Sequence, residues 1–269
     1  MVCLADYQDY LKALQLDRRM SGMAVLKCLT RILIEELAPQ ETDTVLDVGT
    51  GTGRLGMTLR NLIPRGIVVG IDSGDGMLTV ARDKILKYEV DNFWLGQGRA
   101  EVLPFTSGTF DSACLVLSFH HFTDPLSSIA ELYRVLKPGG HIVSLDPVLT
   151  EAEDEEEQRL NESIEEAFQE AHGPDFRFFT SSELRRLYET AGFSINTCRT
   201  RDFAFDQAGI EGIPMGAHWL QAYQSLRFRQ QNDLVRKFER QYFAFRQRDD
   251  QLLVRGKVSW VIMRVSKSQ

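Results

Sequence analysis

Residues Val45–Gly56 read VLDVGTGTGRLG. An apolar run broken by one acid leads into closely spaced glycines, the pattern of a buried strand that turns sharply into a helix. Two glycine frames overlap here. Gly51, Gly53 and Gly56 fit G-x-G-x-x-G, the spacing of a loop that approaches the pyrophosphate of a dinucleotide. Gly49, Gly51 and Gly53 fit G-x-G-x-G. In either frame the missing Cβ lets a ligand approach the backbone, so the glycines alone leave the ligand open.

The flanking acids carry more information. Asp72 follows the apolar run Ile67–Ile71, 19 residues beyond Gly53. A carboxylate there accepts hydrogen bonds from ribose hydroxyls in either ligand class, or caps the helix that follows. Asp47 lies inside the first strand, where a buried carboxylate costs several kcal/mol unless a cation or several donors meet it. A pyrophosphate beside it would add negative charge. The sulfonium and ammonium of S-adenosylmethionine (SAM) would neutralise it, so Asp47 favours the cationic ligand. A buried Asp can also be met by backbone amides.

Outward from the loop, short apolar runs alternate with helical spacing. Thr44–Val48, Ile67–Ile71, Asn92–Leu95, Ser112–Leu117, His141–Leu145 and Ser194–Cys198 read as strands. Val25, Leu29, Leu33 and Leu37 predict a helix before Pro39; Leu126, Ile129, Ala130, Tyr133 and Leu136 predict another. Asp124-Pro125 supplies a cap and a first-turn proline, Thr180–Glu183 a capping box, and Pro138-Gly139-Gly140 a stop. The alternation implies an α/β protein with a Rossmann-like, doubly wound, mostly parallel sheet. Four parts are expected: N-terminal helices over 1–40 that form a lid; a nucleoside-binding core over 41–200 with an acidic helical insertion at 148–180; a helical cap at 201–256; and a final core strand at 257–269. In the acidic insertion Leu160, Ile164, Phe168 and Ala171 make one buried stripe; in the cap, Leu234, Phe238, Tyr242 and Phe245 make another.

Composition narrows the class. The chain has 269 residues, 43% of them hydrophobic, enough for a large core, and a net charge of −7 that counts against a broad nucleic-acid surface. Cys3, Cys28, Cys114 and Cys198 are scattered and read as reduced thiols, with neither a disulfide framework nor a metal site. The start MVCLADYQDY lacks the basic and apolar regions of a signal peptide, and no apolar stretch nears the roughly 20 residues of a membrane span. A cytoplasmic location is expected.

VLDVGTGTG, GIDSGDGML, GRAEVLPFTSGTFD, HHF-x-DP and ELYRVLKPGG, in this order, resemble the class I SAM-dependent methyltransferases. The chain is similar in particular to the small-molecule group that includes the ubiquinone/menaquinone biosynthesis enzymes. The likeness runs from about Thr42 to Pro147 and resumes weakly at TSSELRRLYETAGF and the last strand. It implies a seven-stranded sheet whose last strand, Val258–Val265, is antiparallel, and it implies SAM as cofactor. By position, it places Asp47 near the methionine end and Gly49, Gly51, Thr52 and Gly53 beneath the cofactor. Asp72 would hold the ribose, Ser73 and Met77 would border the adenine, Arg99-Ala100 would meet its edge, and Val116 would close the site. Two positions depart from the pattern. The family usually has Asp or Asn at Arg99, to accept the adenine amino group, and Arg has no acceptor; a small polar residue often stands at Val116.

Methyl transfer needs alignment and exclusion of water, plus a base when the acceptor carries a proton. His120 and His121 are the catalytic candidates, against a role in fixing their loop; Glu101, Asp146 and His218 are further options. Both insertions leave the carboxyl edge of the sheet and enclose an acceptor pocket. His218 and Trp219 are lining candidates, although Trp219 equally suits the core of the cap. The expected partner is a small, partly apolar methyl acceptor, with no nucleic acid and no membrane span. Between Tyr223 and Arg248 seven basic residues stand against two acids, which keeps RNA methylation as a rival. The sequence also accommodates a non-catalytic SAM-binding protein or an NAD-dependent enzyme.

Overall fold

A computed structural model describes residues 7–268. The N-terminal residues 1–6, including Cys3, and residue 269 lie outside the described residues. β1 (Thr44–Val48), β2 (Ile67–Asp72), β3 (Phe93–Gln97), β4 (Phe110–Val116) and β5 (Leu136–Val148) pair in parallel in the order 3-2-1-4-5. β8 (Gln251–Ser266) pairs antiparallel to β5, and β6 (Ser194–Ala208) lies antiparallel beyond it. The strands of the buried centre are almost wholly apolar because helices cover both faces: Val45, Leu46, Val68, Ala113, Leu115, Ile142 and Val143 are buried.

The helices follow their caps. α1 (Tyr10–Ser21) and α2 (Ala24–Leu37) open the described chain, and α2 buries Val25, Leu29, Leu33 and Leu37. α3 (Arg54–Leu59) leaves the glycine loop, and α4 (Asp75–Lys87) follows β2. α5 (Pro125–Val135) starts on Asp124, whose carboxylate accepts the Ser127 N–H at 3.1 Å, and it ends just before Leu136-Lys-Pro-Gly-Gly. α6 (Glu155–His172) is the acidic helix and buries Leu160, Ile164, Phe168 and Ala171; α7 (Ser181–Thr190) carries the Thr180 capping box.

The second insertion differs from a purely helical cap. β6 runs ten residues past Cys198, to Ala208; α8 (Gly216–Phe228) and α9 (Asn232–Gln241) follow; then β7 (Phe243–Arg248) forms a hairpin with the start of β8. The sheet therefore has eight strands where seven are expected. Leu234 and Phe238 lie on α9, but Tyr242 ends that helix and Phe245 belongs to β7. Phe238 and Phe243 bury with Trp219 in one core that continues into the main sheet. Four of the seven basic residues in this stretch hold carboxylates: Arg229 with Glu166, Arg236 with Asp233, Lys237 with Asp154, and Arg246 with Glu239. Among the described residues no helix is long and apolar enough to cross a membrane, and Cys28, Cys114 and Cys198 are free thiols.

Candidate active site

β1 ends in a loop in which Gly49, Gly51 and Gly53 all have positive φ (71°, 54° and 73°). The loop is pinned from behind, since the N–H groups of Gly49 and Thr50 both donate to the Ile71 carbonyl, at 2.8 and 3.0 Å. A Cβ on Gly49 would fall 2.3 Å from Ser118 Cβ, so β4 and β1 close together only because it is absent. A Cβ on Gly51 would meet nothing within 4 Å; it faces open space. Gly56 is different: it lies inside α3, and its Cβ would sit 2.2 Å from the Phe93 ring. It packs helix on sheet and touches no ligand space.

That space is a cavity of about 440 Å³, within the range of small-molecule sites. Asp47 and Asp72 both line it. Asp47 is buried, accepts from Thr50 Oγ1 at 2.7 Å and lies 3.7 Å from Cys114 Sγ, and has no cation beside it among the described residues. Burial pushes its carboxyl up to about 6, against the Thr50 and Cys114 hydrogen bonds. Asp72 accepts the Gly51 N–H and the Gly74 N–H, each at 2.8 Å, so it ties the loop to the start of α4 while facing the cavity. Burial raises its pKa, and these N–H groups oppose the rise. Ser73, Met77, Ala100 and Val116 complete this end.

The Arg99 guanidinium turns to Glu101, at 3.2–3.3 Å, and to Thr123 Oγ1, at 2.8 Å. Glu101 thereby stands at the cavity as a fixed acceptor. Burial would raise its pKa, but hydrogen bonds from Arg99 and the Asp124 backbone hold it below the usual value. Thr52 Oγ1 donates to the buried Asp17 of α1 at 2.6 Å, and Lys84 Nζ reaches both Asp17, at 2.6 Å, and the Thr52 carbonyl, at 3.0 Å. The N-terminal helix is thus bolted to the glycine loop.

Opposite the loop, a single 3₁₀ turn at Phe119–His121 follows β4. Asp146 of β5 receives the Phe119 N–H at 3.1 Å and His120 Nδ1, which pins the turn and fixes the His120 ring. His121 faces the cavity, as do His172 at the end of α6, Phe176, and Met215 and His218 of the second insertion. The two insertions therefore both reach the cavity, as their exit from the same sheet edge predicts. Trp219 does not reach it; the ring is 1% exposed and packs on Phe168, Phe178 and Tyr242. Helical geometry explains the split: neighbours on α8 diverge by about 100°, so His218 faces the cavity and Trp219 the core. Sequence reading misses Tyr7, Ser118, His172 and Phe176, whose local patterns are those of any turn or helix end. Only the concentration of histidine here, four of the five in the chain, carries a signal.

Asp47 lacks a cation, the loop leaves its own space open at Gly51, and Asp72 keeps oxygens toward the cavity. These residues fit a cationic nucleoside and fit a pyrophosphate poorly. The chain belongs to the methyltransferase domain family, which it matches over residues 39–192. It is 38% identical over 133 residues to a demethylmenaquinone methyltransferase of Thermus thermophilus, a stretch covering 49% of this chain and 59% of that one. The chain spans about half the length of the curated relatives it matches. Among solved structures, it is similar in fold to the YcgJ protein of Bacillus subtilis (TM-score 0.71, 20% identity, 89% of this chain and 98% of that one). A second is the phosphoethanolamine N-methyltransferase 2 of Haemonchus contortus, solved with S-adenosylhomocysteine (TM-score 0.59, 14% identity, 90% and 52%). The cap, residues 201–256, lies beyond the family match.

Proposed function

We propose that this chain methylates a small, partly apolar metabolite enclosed between the glycine loop and the cap. The observation that carries this reading is one cavity shared by two sets of residues: Asp47, Gly51 and Asp72 at one end, and His121, Phe176, Met215 and His218 at the other. When bound, SAM supplies a methyl group already activated on a sulfonium. Asp47 and the backbone of Gly49–Gly53 hold the methionine end by charge and close approach; Thr52 shapes the loop through α1. Asp72 holds the ribose hydroxyls. Ser73, Met77 and Ala100 border the adenine, with Val116 closing the site beside them. Glu101, fixed by Arg99, supplies the acceptor oxygen that Arg99 itself lacks.

At the other end the two adjacent histidines divide the work. His120, held by Asp146, sets the turn and acts through it. His121 faces the acceptor and takes its proton. Aromatic and thioether surfaces from Phe176, Met20 and Met215 exclude water and suit a flat or apolar acceptor. The relative from Thermus thermophilus suggests reduced demethylmenaquinone as the first acceptor to try.

Thermal melts with S-adenosylhomocysteine test the cofactor end. A ligand at 100 times its Kd adds roughly 2.7 kcal/mol of stability, so a clear rise in Tm is expected, and none with NAD. Release of S-adenosylhomocysteine from SAM in the presence of reduced short-chain demethylmenaquinone tests the transfer. No melting shift with either SAM or its product would sink the reading.

A further inference from the structure

Tyr7, His121, His172 and His218 come from four separate parts of the chain and join in one line. Tyr7 Oη lies 3.2 Å from His121 Nε2 and 3.4 Å from His172 Nδ1. His172 Nε2 lies 3.3 Å from His218 Nδ1. All four line the cavity. The Tyr7 hydroxyl has one proton, so it donates to one histidine and accepts from the other. That single constraint couples every imidazole in the line. In one polarity His121 Nε2–H donates to Tyr7, Tyr7 to His172 Nδ1, and His172 Nε2–H to His218 Nδ1. His121 Nδ1 is then a bare acceptor and His218 Nε2 carries a proton. In the opposite polarity every bond is reversed.

We propose that this line is a proton relay, which carries the proton shed by the methyl acceptor from His121 to His218 and out to water. It rests on the methyltransferase reading of the site and assigns it an acceptor whose reacting atom bears a proton. The balance closes without any co-reactant. His121 Nδ1 gains the acceptor proton as Nε2 gives its own to Tyr7. Tyr7 passes its hydroxyl proton to His172 Nδ1, and His172 passes its Nε2 proton to His218 Nδ1. The His218 Nε2 proton leaves to solvent, and each group ends neutral in the opposite tautomer.

The surroundings suit transfer along the line rather than storage on it. Burial lowers His172 to about 3, with His218, His120 and Arg19 adding to the effect, and lowers His218 to about 4, with Arg19 adding to it. Burial, then His120 and His172, hold His121 well below its usual value. Burial and the Asp72 charge push Tyr7 up to about 12, against Arg19. No member holds an extra charge near neutral pH, so a proton entering at one end is released at the other. Among the described residues no group of three or more His, Cys, Asp or Glu is arranged to hold a metal.

Nitrogen NMR of the imidazoles tests the relay on the full chain saturated with S-adenosylhomocysteine. The readout is the Nδ1–H to Nε2–H ratio at each histidine. Substituting His218→Gln at the far end should shift the His121 ratio at least threefold. Tyr7→Phe, which keeps the ring and removes the hydroxyl, should abolish that response. An unchanged His121 ratio in His218→Gln, with S-adenosylhomocysteine bound as in the wild type, overturns the relay. Should His218→Gln not fold, Tyr7→Phe alone is read at His218, which it does not touch; a threefold shift supports the relay and no shift overturns it. Failure of the wild type to bind S-adenosylhomocysteine overturns instead the reading on which the relay rests.

Discussion

At Gly56 the place of a side chain is taken by the Phe93 ring, 2.2 Å from where a Cβ would stand. Alanine would gain about 1 kcal/mol in helix propensity, but overpacking a buried ring costs about 1–3 kcal/mol or more, so the clash wins. Gly56→Ala should lower Tm and leave the affinity for SAM little changed, as paired melts and titrations would show. Asp47 makes the opposite trade. An aspartate ionises near 3.9 in an unfolded chain, whereas Asp47 ionises at about 6 in the folded one. The folded state holds the extra proton between those values. This contribution to stability is present below about pH 4 and is lost as the pH rises through 6. Asp47→Asn should therefore raise the Tm of the free protein at pH 7.5 while weakening SAM binding at least tenfold. In the wild type, affinity for SAM should fall as the pH drops through about 6. Equal SAM affinities for Asn and Asp would contradict the role given to this carboxylate.

Among the elements, α6 and α9 show how charge places the cap. Lys237 of α9 sits 2.7 Å from Asp154, 3.5 Å from Glu156 and 3.7 Å from Glu157. The acidic run that reads as a solvated helix face is thus also a receptor for the cap's basic residues. Lys237→Glu would set a fourth acid among three. A lower Tm is expected, with part of the loss recovered in 1 M salt, because screening at that ionic strength reaches within about 3 Å; loss without salt recovery would point to packing instead. The elements also mark where sequence reading stops. β1 and β4 are legible because both faces are covered and most of their residues are apolar. The second half of β6 is not, since Arg199, Arg201, Asp202 and Asp206 occupy a mostly exposed strand that exists through its pairing with β8. Phe243 and Phe245 fit a strand spacing as well as Leu234, Phe238, Tyr242 and Phe245 fit a helical one, and only the hairpin partner decides between them.

For the molecule as a whole, the proposed cofactor end is readable because one local stretch, Asp47–Gly53, builds most of it and Asp72 is aligned by the neighbouring strand. The proposed acceptor end is assembled from Tyr7, His121, His172, Phe176, Met215 and His218, which share no local pattern and meet only in the folded chain. His218 belongs to this end while Trp219, its neighbour on α8, points about 100° away into the core. Arg99 looks disruptive in the sequence and supportive in the structure, where its hydrogen bonds hold Glu101 at the cavity.

β6 and β8 stay paired from Ser194 and Ser266 at one end to Ala208 and Leu253 at the other. They run from the core sheet into the cap as one paired ribbon, with one register shift between Ile195 and Thr197. A cap joined in this way is rooted in the sheet along the whole length of that ribbon. On the other flank α1 is fastened over the glycine loop, by Asp17 to Thr52 and Lys84, by Tyr10 to Asp83, and by the packing of Ala13 on Met77 and Val80.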